Sequence, residues 1–358
     1  LIALKLMKQV KVWFIITTLL FLCAELNAQS FRRNAPRWRS DIGYLGVGGG
    51  VGIMNYFGDL NPLAQYVSTD ITVTRPSIAI SVFRKLSPRI IARAQFSWGR
   101  ITADDFKAAD PTDDRHRYRW LRNSHFRNDI WELGLMISYD LRPSRFTYYR
   151  RANFTPYLLA GISVFYHNPK ARTPEDLGND WVNLRPLKTE GQGINRSVDS
   201  PLINGPKAGT SYGKPYSLIQ PAIPVGAGVR FKLNDRTDLS FEVAYRILFT
   251  DFIDDVSGNY ANPNDLPGGA TGLSARMANR TLEQEAARKG GSRVDDLTRL
   301  TTQEGIGVVN IPGFGPSING FGQDGDKRGE QRNVDMYIVT GFHLTRIINV
   351  GLRCPKFR

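Results

Sequence analysis

The chain has 358 residues, 41% of them hydrophobic, with two cysteines and a formal charge of +14. Beyond its N-terminal region no segment reaches the roughly 20 consecutive apolar residues that a spanning helix needs, so helical membrane spans are excluded. A chain this basic suits an anionic partner, and the export signal described next makes lipid phosphates, acidic periplasmic proteins or peptidoglycan the expected ones rather than nucleic acid.

Residues 1–28 read as a secretory signal. Lys5, Lys8 and Lys11 precede an apolar run over 12–22, and Asn27-Ala28-Gln29 follows as a cleavage region, with Met7 as an alternative start. The run is too short for a retained anchor. Cys23 follows Leu20-Phe21-Leu22, which lacks the small residue a lipobox places there, so lipidation is not expected. Without the signal only Cys354 remains, which excludes an internal disulfide and a cysteine-based zinc site. Residues 29–40 form a basic segment carrying Arg32, Arg33, Arg37 and Arg39, and 351–358 a short tail carrying Cys354. Both are expected to face periplasmic partners.

Between these ends, over 41–350, the chain repeats the period-two alternation of strands with one apolar face. Glycine-rich 43–53 and then 76–86 are weaker instances. At 90–98, Ile90, Ala92, Ala94, Phe96 and Trp98 alternate with Arg93, Gln95 and Ser97. At 129–142, Trp131, Leu133, Leu135, Ile137 and Tyr139 alternate with Glu132, Gly134, Met136, Ser138 and Asp140. Another weak segment, 154–167, precedes 219–233, where Ile223, Val225, Val229 and Phe231 oppose Gln220, Arg230 and Lys232. At 237–249, Leu239, Phe241, Val243, Tyr245 and Ile247 oppose Asp238, Ser240, Glu242 and Arg246, and 334–347 completes a set of eight.

A soluble sandwich would alternate in the same way, so the connections decide. Short turns at 87–88, after 142 and at 234–236 alternate strictly with long connections near 61, at 115–122, over 168–216 and over 251–332. Bacterial barrels sort their loops in this manner, short on the periplasmic side and long outside. The expected fold is therefore all-β: an eight-stranded antiparallel outer-membrane β-barrel with long, partly helical extracellular loops. Outward aromatics cluster in two belts, Trp98, Trp131, Tyr166 and Phe249 beside the long loops and Tyr139, Phe154 and Phe231 beside the short turns, as bilayer interfaces favour.

Eight strands leave a bore that side chains fill, so no diffusion channel is expected. The inward set includes Arg93, Glu132, Asp140, Arg230, Glu242 and Arg246, which predicts a plug of ion pairs. Among the four histidines, His343 points inward near Ser138 and Ser240 without a motif that would make a nucleophile and base of them, whereas His116 and His125 read as solvated. No catalytic residue and no cofactor is expected. The glycine run GVGGGVG at 46–52 has no helix after it, so it reads as room for neighbouring side chains rather than a phosphate loop. Asp251, Asp254 and Asp255 are weak calcium candidates, with loop capping the better reading because their spacing misses the EF-hand pattern. Arg115, Arg117, Arg119 and Arg122 interleave with Tyr118 and Trp120 in RHRYRWLR and suit lipid A phosphates at the outer leaflet. Within the longest loop, TLEQEAARK at 281–289 predicts a helix stopped by Gly290-Gly291, and a second is expected from Val294. Such a loop is expected to fold as a cap over the mouth.

Three stretches, GVGGGVGIMNYFGDLNP at 46–62, FTDFIDDVSGNY at 249–260 and LTRIINVGLRCPKF at 344–357, together resemble the PorG-like outer-membrane barrels associated with type IX secretion in gliding and periodontal-type bacteria. The resemblance implies an accessory subunit that holds a periplasmic ring of lipoprotein and partner subunits against the outer membrane. The residues themselves leave two alternatives beside it: a barrel whose long loops bind a ligand or another outer-membrane complex, and, at lower weight, a lipid A-modifying enzyme.

Overall fold

The computed structural model describes residues 43–60, 74–114, 116–143, 151–202, 205–303, 306–311, 315–330 and 334–349. The signal region, the basic segment with Arg32, Arg33, Arg37 and Arg39, residue Arg115 and the tail with Cys354 lie outside the described residues.

Eight long strands carry the fold: β1 (Leu45–Phe57), β2 (Arg75–Lys85), β3 (Ile90–Asp104), β4 (His125–Asp140), β5 (Phe154–Tyr166), β8 (Ile219–Lys232), β9 (Thr237–Leu248) and β12 (Met336–Asn349). Each pairs antiparallel with its neighbours in the order β1-β2-β3-β4-β5-β8-β9-β12, and β12 pairs back with β1, so the sheet closes and has no edge. Closure satisfies every ladder along the wall, which is the condition for strands to cross hydrocarbon. The expected eight-stranded barrel is borne out.

The alternation read from the sequence maps directly onto the two faces of the wall. Leu133, Leu135 and Ile137 of β4, Ile162 of β5 and Ile78 and Ile80 of β2 point outward, with Ile162 67% exposed. A continuous sleeve of exposed aliphatics would be untenable in water but is at home in lipid tails, and it places the barrel in an outer membrane. The upper aromatic belt follows from register, because Trp98 pairs with Trp131 and Trp131 with Tyr166 at one level. At the other end Phe154 pairs with Phe231, their rings 5.4 Å apart.

Inside, β1 presents Gly46, Gly48, Gly50 and Gly52 to a narrow bore. A Cβ on Gly50 would sit 2.4 Å from the His343 ring, and one on Gly46 would sit 2.3 Å from Phe83. The glycines therefore make room for side chains from β2 and β12, as the sequence suggested.

Three of the long connections fold together above the rim. They contribute two short strands, β6 (Lys170–Arg172) and β7 (Trp181–Asn183), which continue from the outer end of β4 through Lys170 and Arg127. A hairpin of β10 (Val308–Ile311) and β11 (Gly315–Ile318) lies further along. Helical turns form at Asp105–Ala108, Arg117–Arg122, Leu273–Ala278 and Val294–Thr298. The helix expected from Val294 is present, but 281–289 is not helical. Its peptide groups are claimed by tertiary partners: the Ala287 N–H donates to Asn123 Oδ1, the Asn123 amide donates to the Glu285 carbonyl, and the Ala286 N–H donates to the Gly291 carbonyl. Local propensity is worth only tenths of a kilocalorie per residue and yields to such contacts.

Candidate functional site

The bore is filled in layers. Nearest the short turns, the carboxylate of Asp140 receives Lys85 Nζ at 2.6 Å and Arg230 Nη1 at 3.1 Å, while Arg151 donates to Asp238 at 2.7 Å. In the next layer Arg93 grips Glu242 with two nitrogens, at 2.9 and 2.8 Å, and the Tyr157 hydroxyl donates to the same carboxylate at 3.0 Å. Above it Arg246 Nε lies 2.9 and 3.0 Å from the two oxygens of Glu132, which also accepts from the Tyr337 hydroxyl at 2.7 Å. All six charges singled out in the sequence thus lie paired in the lumen. Lys85, Tyr157 and Tyr337 complete them. Lys85 could have been found, since it shares the inward parity of Ser77, Ser81 and Phe83.

Above the ion pairs the bore turns apolar. Met54, Tyr56, Ile101, Phe126, Ile130, Phe165 and Leu248 from the wall pack with Ile253 and Val256 from the β9–β12 connection in a single buried cluster. This lid closes the mouth.

The cap continues outward on its own cores. Phe106, Ala109, Trp120 and Leu121 from the β3–β4 connection pack with Tyr260, Leu300, Ile306, Ile318 and Phe321 from the β9–β12 connection. Ala171 and Leu184 from the β5–β8 connection pack with Met277. Such irregular backbone needs donors for its carbonyls, and arginines supply them. Arg293, fully buried and 4.4 Å over the Trp120 ring, donates to the carbonyls of Glu283, Trp120 and Leu121. Arg328 donates to Glu190, Thr189 and the Asp255 carbonyl.

The basic stretch expected at the lipid interface divides under this packing. Trp120 is 1% exposed and Arg122 4% exposed, and Arg122 makes a two-pronged pair with the buried Asp105 at 2.7 and 2.8 Å. These two residues are interior cap residues and not lipid contacts, because the loop is covered by the β9–β12 connection. Arg117 lies on the surface beside Asp114 and over the Tyr118 ring, and Arg119 is half-buried. His125, expected in solvent, is buried; its Nε2 accepts the Arg172 N–H at 2.9 Å, and its ring packs against Trp181.

The three aspartates after β9 do not converge on a cation. Asp254 accepts the Val256 N–H and lies 2.7 Å from the Tyr56 hydroxyl, whereas Asp255 accepts from Thr189 and Tyr216 at 2.5 and 2.6 Å. Among the described residues no group of three acidic, histidine or cysteine side chains could hold a metal. The Tyr56 hydroxyl also lies 2.8 Å from Asp335. The one Tyr56 hydroxyl thus stands between two buried carboxyl groups, an arrangement that disfavours ionising both. Burial, with the charge of Asp59 added, pushes Asp254 well above the usual carboxylate range, and burial beside Asp254 does the same to Asp335. Burial also raises Asp251 to about 7 and Asp255 to about 6, and lowers His167 to about 4.

Inside the barrel the Ser240 hydroxyl donates to the His343 carbonyl at 3.4 Å, while the His343 ring lies over Gly50. Among the described residues no hydroxyl is hydrogen-bonded to the imidazole.

Residues 35–180 match the family model described as a domain of unknown function (DUF6089). Among solved structures the chain is similar to Neisserial surface protein A, at 9% identity and a TM-score of 0.33, covering 85% of this chain and 97% of that one. It is similar to the outer membrane protein OprG from Pseudomonas aeruginosa, at 8% identity and a TM-score of 0.33, covering 85% and 96%. It is also similar to Ail, the attachment invasion locus protein of Yersinia pestis, solved with the heparin analogue sucrose octasulfate, at 6% identity and a TM-score of 0.31, covering 85% and 97%. No curated protein matches the sequence.

Proposed function

We propose that this protein is a non-conducting, non-enzymatic outer-membrane barrel that anchors an assembly at its periplasmic end, as an accessory subunit of a type IX secretion or gliding complex. The observation that carries the reading is the filled bore: ion-pair layers through its length and the apolar lid over its mouth leave the two ends as working surfaces. The resemblance to PorG-like barrels supports the periplasmic end, where Arg32, Arg33, Arg37, Arg39 and Cys354 would meet ring or lipoprotein subunits. Affinity purification in mild detergent tests it. The expected result is co-purification of periplasmic ring components and loss of cargo export on deletion; recovery of the barrel alone, with export intact, overturns it.

A second reading is favoured by the cap itself. Three connections build shared buried cores above the rim, more order than an anchor needs. On this reading the cap binds a surface ligand, and deletion of 168–216 and 251–332 abolishes binding while the barrel stays folded. Arg117 and Arg119 remain candidates for outer-leaflet lipopolysaccharide contact.

A further inference from the structure

One flank of the cap holds an open cleft of about 500 Å³ lined by Glu190, Gln192, Arg196, Tyr212, Lys214 and Phe252, with Asn259 on its rim. Its floor is built from buried polar groups. Glu190 accepts the N–H groups of Ser257 and Gly258 at 3.0 and 2.9 Å and a guanidinium nitrogen of Arg328 at 2.9 Å. Gln192 is 4% exposed; its Oε1 accepts the Glu190 N–H at 3.3 Å, which orients the amide and leaves Nε2 without an acceptor. Arg196, 6% exposed, lies 4.1 Å over the Tyr212 ring and gives Nη1 to Asp324, while its remaining N–H groups meet no acceptor among the described residues. Lys214 is exposed and has no carboxylate partner among the described residues. Phe252, stacked on Tyr216 with ring centroids 5.0 Å apart, lines the same space.

Glu190 pairs with Arg328 and Arg196 with Asp324, while Asp265 stands behind the Tyr212 hydroxyl at 2.7 Å and Asp251 beside Ser257. Lys214 is the lining cation that has no carboxylate partner among the described residues. Donors outnumber acceptors, since Gln192 Nε2, the free edge of Arg196 and Lys214 all seek oxygen. A polyanion would meet Glu190 across the same floor. The set suits a ligand with many acceptor oxygens, one negative charge and an apolar C–H face that can lie against an aromatic ring.

We infer that this cleft binds an acidic sugar of a glycan, its carboxylate held by Lys214 and Arg196 and its ring face set on Phe252. The inference rests on the cap-binding reading and is independent of the anchor reading. Isothermal titration of the full-length protein in detergent, with a hyaluronan tetrasaccharide and with uncharged chitotetraose, tests it. The acidic tetrasaccharide is expected to bind at least tenfold more tightly, and Lys214→Glu to erase that preference with no change in melting temperature. Equal affinities, no binding of the tetrasaccharide, or binding untouched by Lys214→Glu overturns the site. A short peptide that binds as tightly through its C-terminal carboxylate overturns the sugar assignment. In the binding case, displacement of the probe by acidic polysaccharide extracted from the producing cells assigns the cell's own surface as the source, and its failure to displace assigns a foreign glycan. If deletion of 168–216 and 251–332 abolishes capture of an outer-membrane complex while the tetrasaccharide never binds, the cap reading stands and the sugar site falls.

Discussion

Gly52 lies where β1 and β12 approach so closely that an added Cβ would come within 2.5 Å of the Thr340 carbonyl oxygen and 2.9 Å of Gly341 Cα. Both obstacles are backbone, so neither can rotate away. Gly49, on the lipid face of the same strand, has only the Ala79 carbonyl at 4.0 Å. Gly52→Ala is therefore expected to force the two strands apart and to sharply lower the folded fraction on refolding into detergent, read as heat-modifiable mobility on a gel, whereas Gly49→Ala folds normally. Arg122 makes a different case. With its partner Asp105 fully buried, Arg122→Met leaves that carboxylate without a countercharge and with only the Ser124 N–H at 3.0 Å, a change of the kind that costs about 3–5 kcal/mol. The expected result is faster proteolysis of the cap at an unchanged strand content by circular dichroism; a cap as resistant as the parent's would show that Asp105 finds another partner.

At the scale of elements, the strands were legible because the wall obeys one rule, apolar out and polar in, repeated at every second residue. Parity alone located Arg93, Glu132, Asp140, Arg230, Glu242 and Arg246. The cap obeys no such rule. Nothing periodic marks Arg293 or Arg328, whose roles depend on carbonyls brought together from distant connections, and the same connections override the helical composition of 281–289. Trp120 and Arg122 read as surface residues because a basic loop looks solvated until something is known to cover it. The cap also carries buried acids whose titration can be followed. Asp251 and Asp255 have folded pKa values of about 7 and 6, above their unfolded value. A raised folded pKa means that their stabilising contribution is complete at low pH and is lost as pH rises through the folded value, here between about 4 and 7. His167, lowered to about 4, and His125, lowered by burial, act oppositely below their unfolded pKa, while Asp254 and Asp335, raised by burial, act in the same sense as Asp251 and Asp255. Protection of the amides over 251–258, taken as the exchange rate relative to the intrinsic base-catalysed rate at each pH, is accordingly expected to be higher at pH 5 than at pH 8. Protection that is flat, or that rises with pH, would show that these carboxyls are already ionised in the folded cap.

For the whole molecule the question is whether the bore is closed by the cap or by the barrel itself. Lys85, Asp140 and Arg230, then Arg93 and Glu242, then Glu132 and Arg246 cross the lumen below the lid, and all come from strands. The lid depends on Ile253 and Val256, which belong to the long connection. Removing 168–216 and 251–332 would expose the upper apolar cluster yet leave the ion pairs in place. In planar bilayers the intact protein is expected to show no steady conductance, and the shortened barrel to remain far below the level of a porin. Pairing Glu242→Gln with the shortened barrel then separates the two barriers. The substitution leaves Arg93 facing a neutral amide in a narrow bore, which favours entry of water and anions around an uncompensated guanidinium. Anion-selective conductance that appears only when both changes are combined would assign the seal jointly to lid and ion pairs; conductance from loop deletion alone would assign it to the cap.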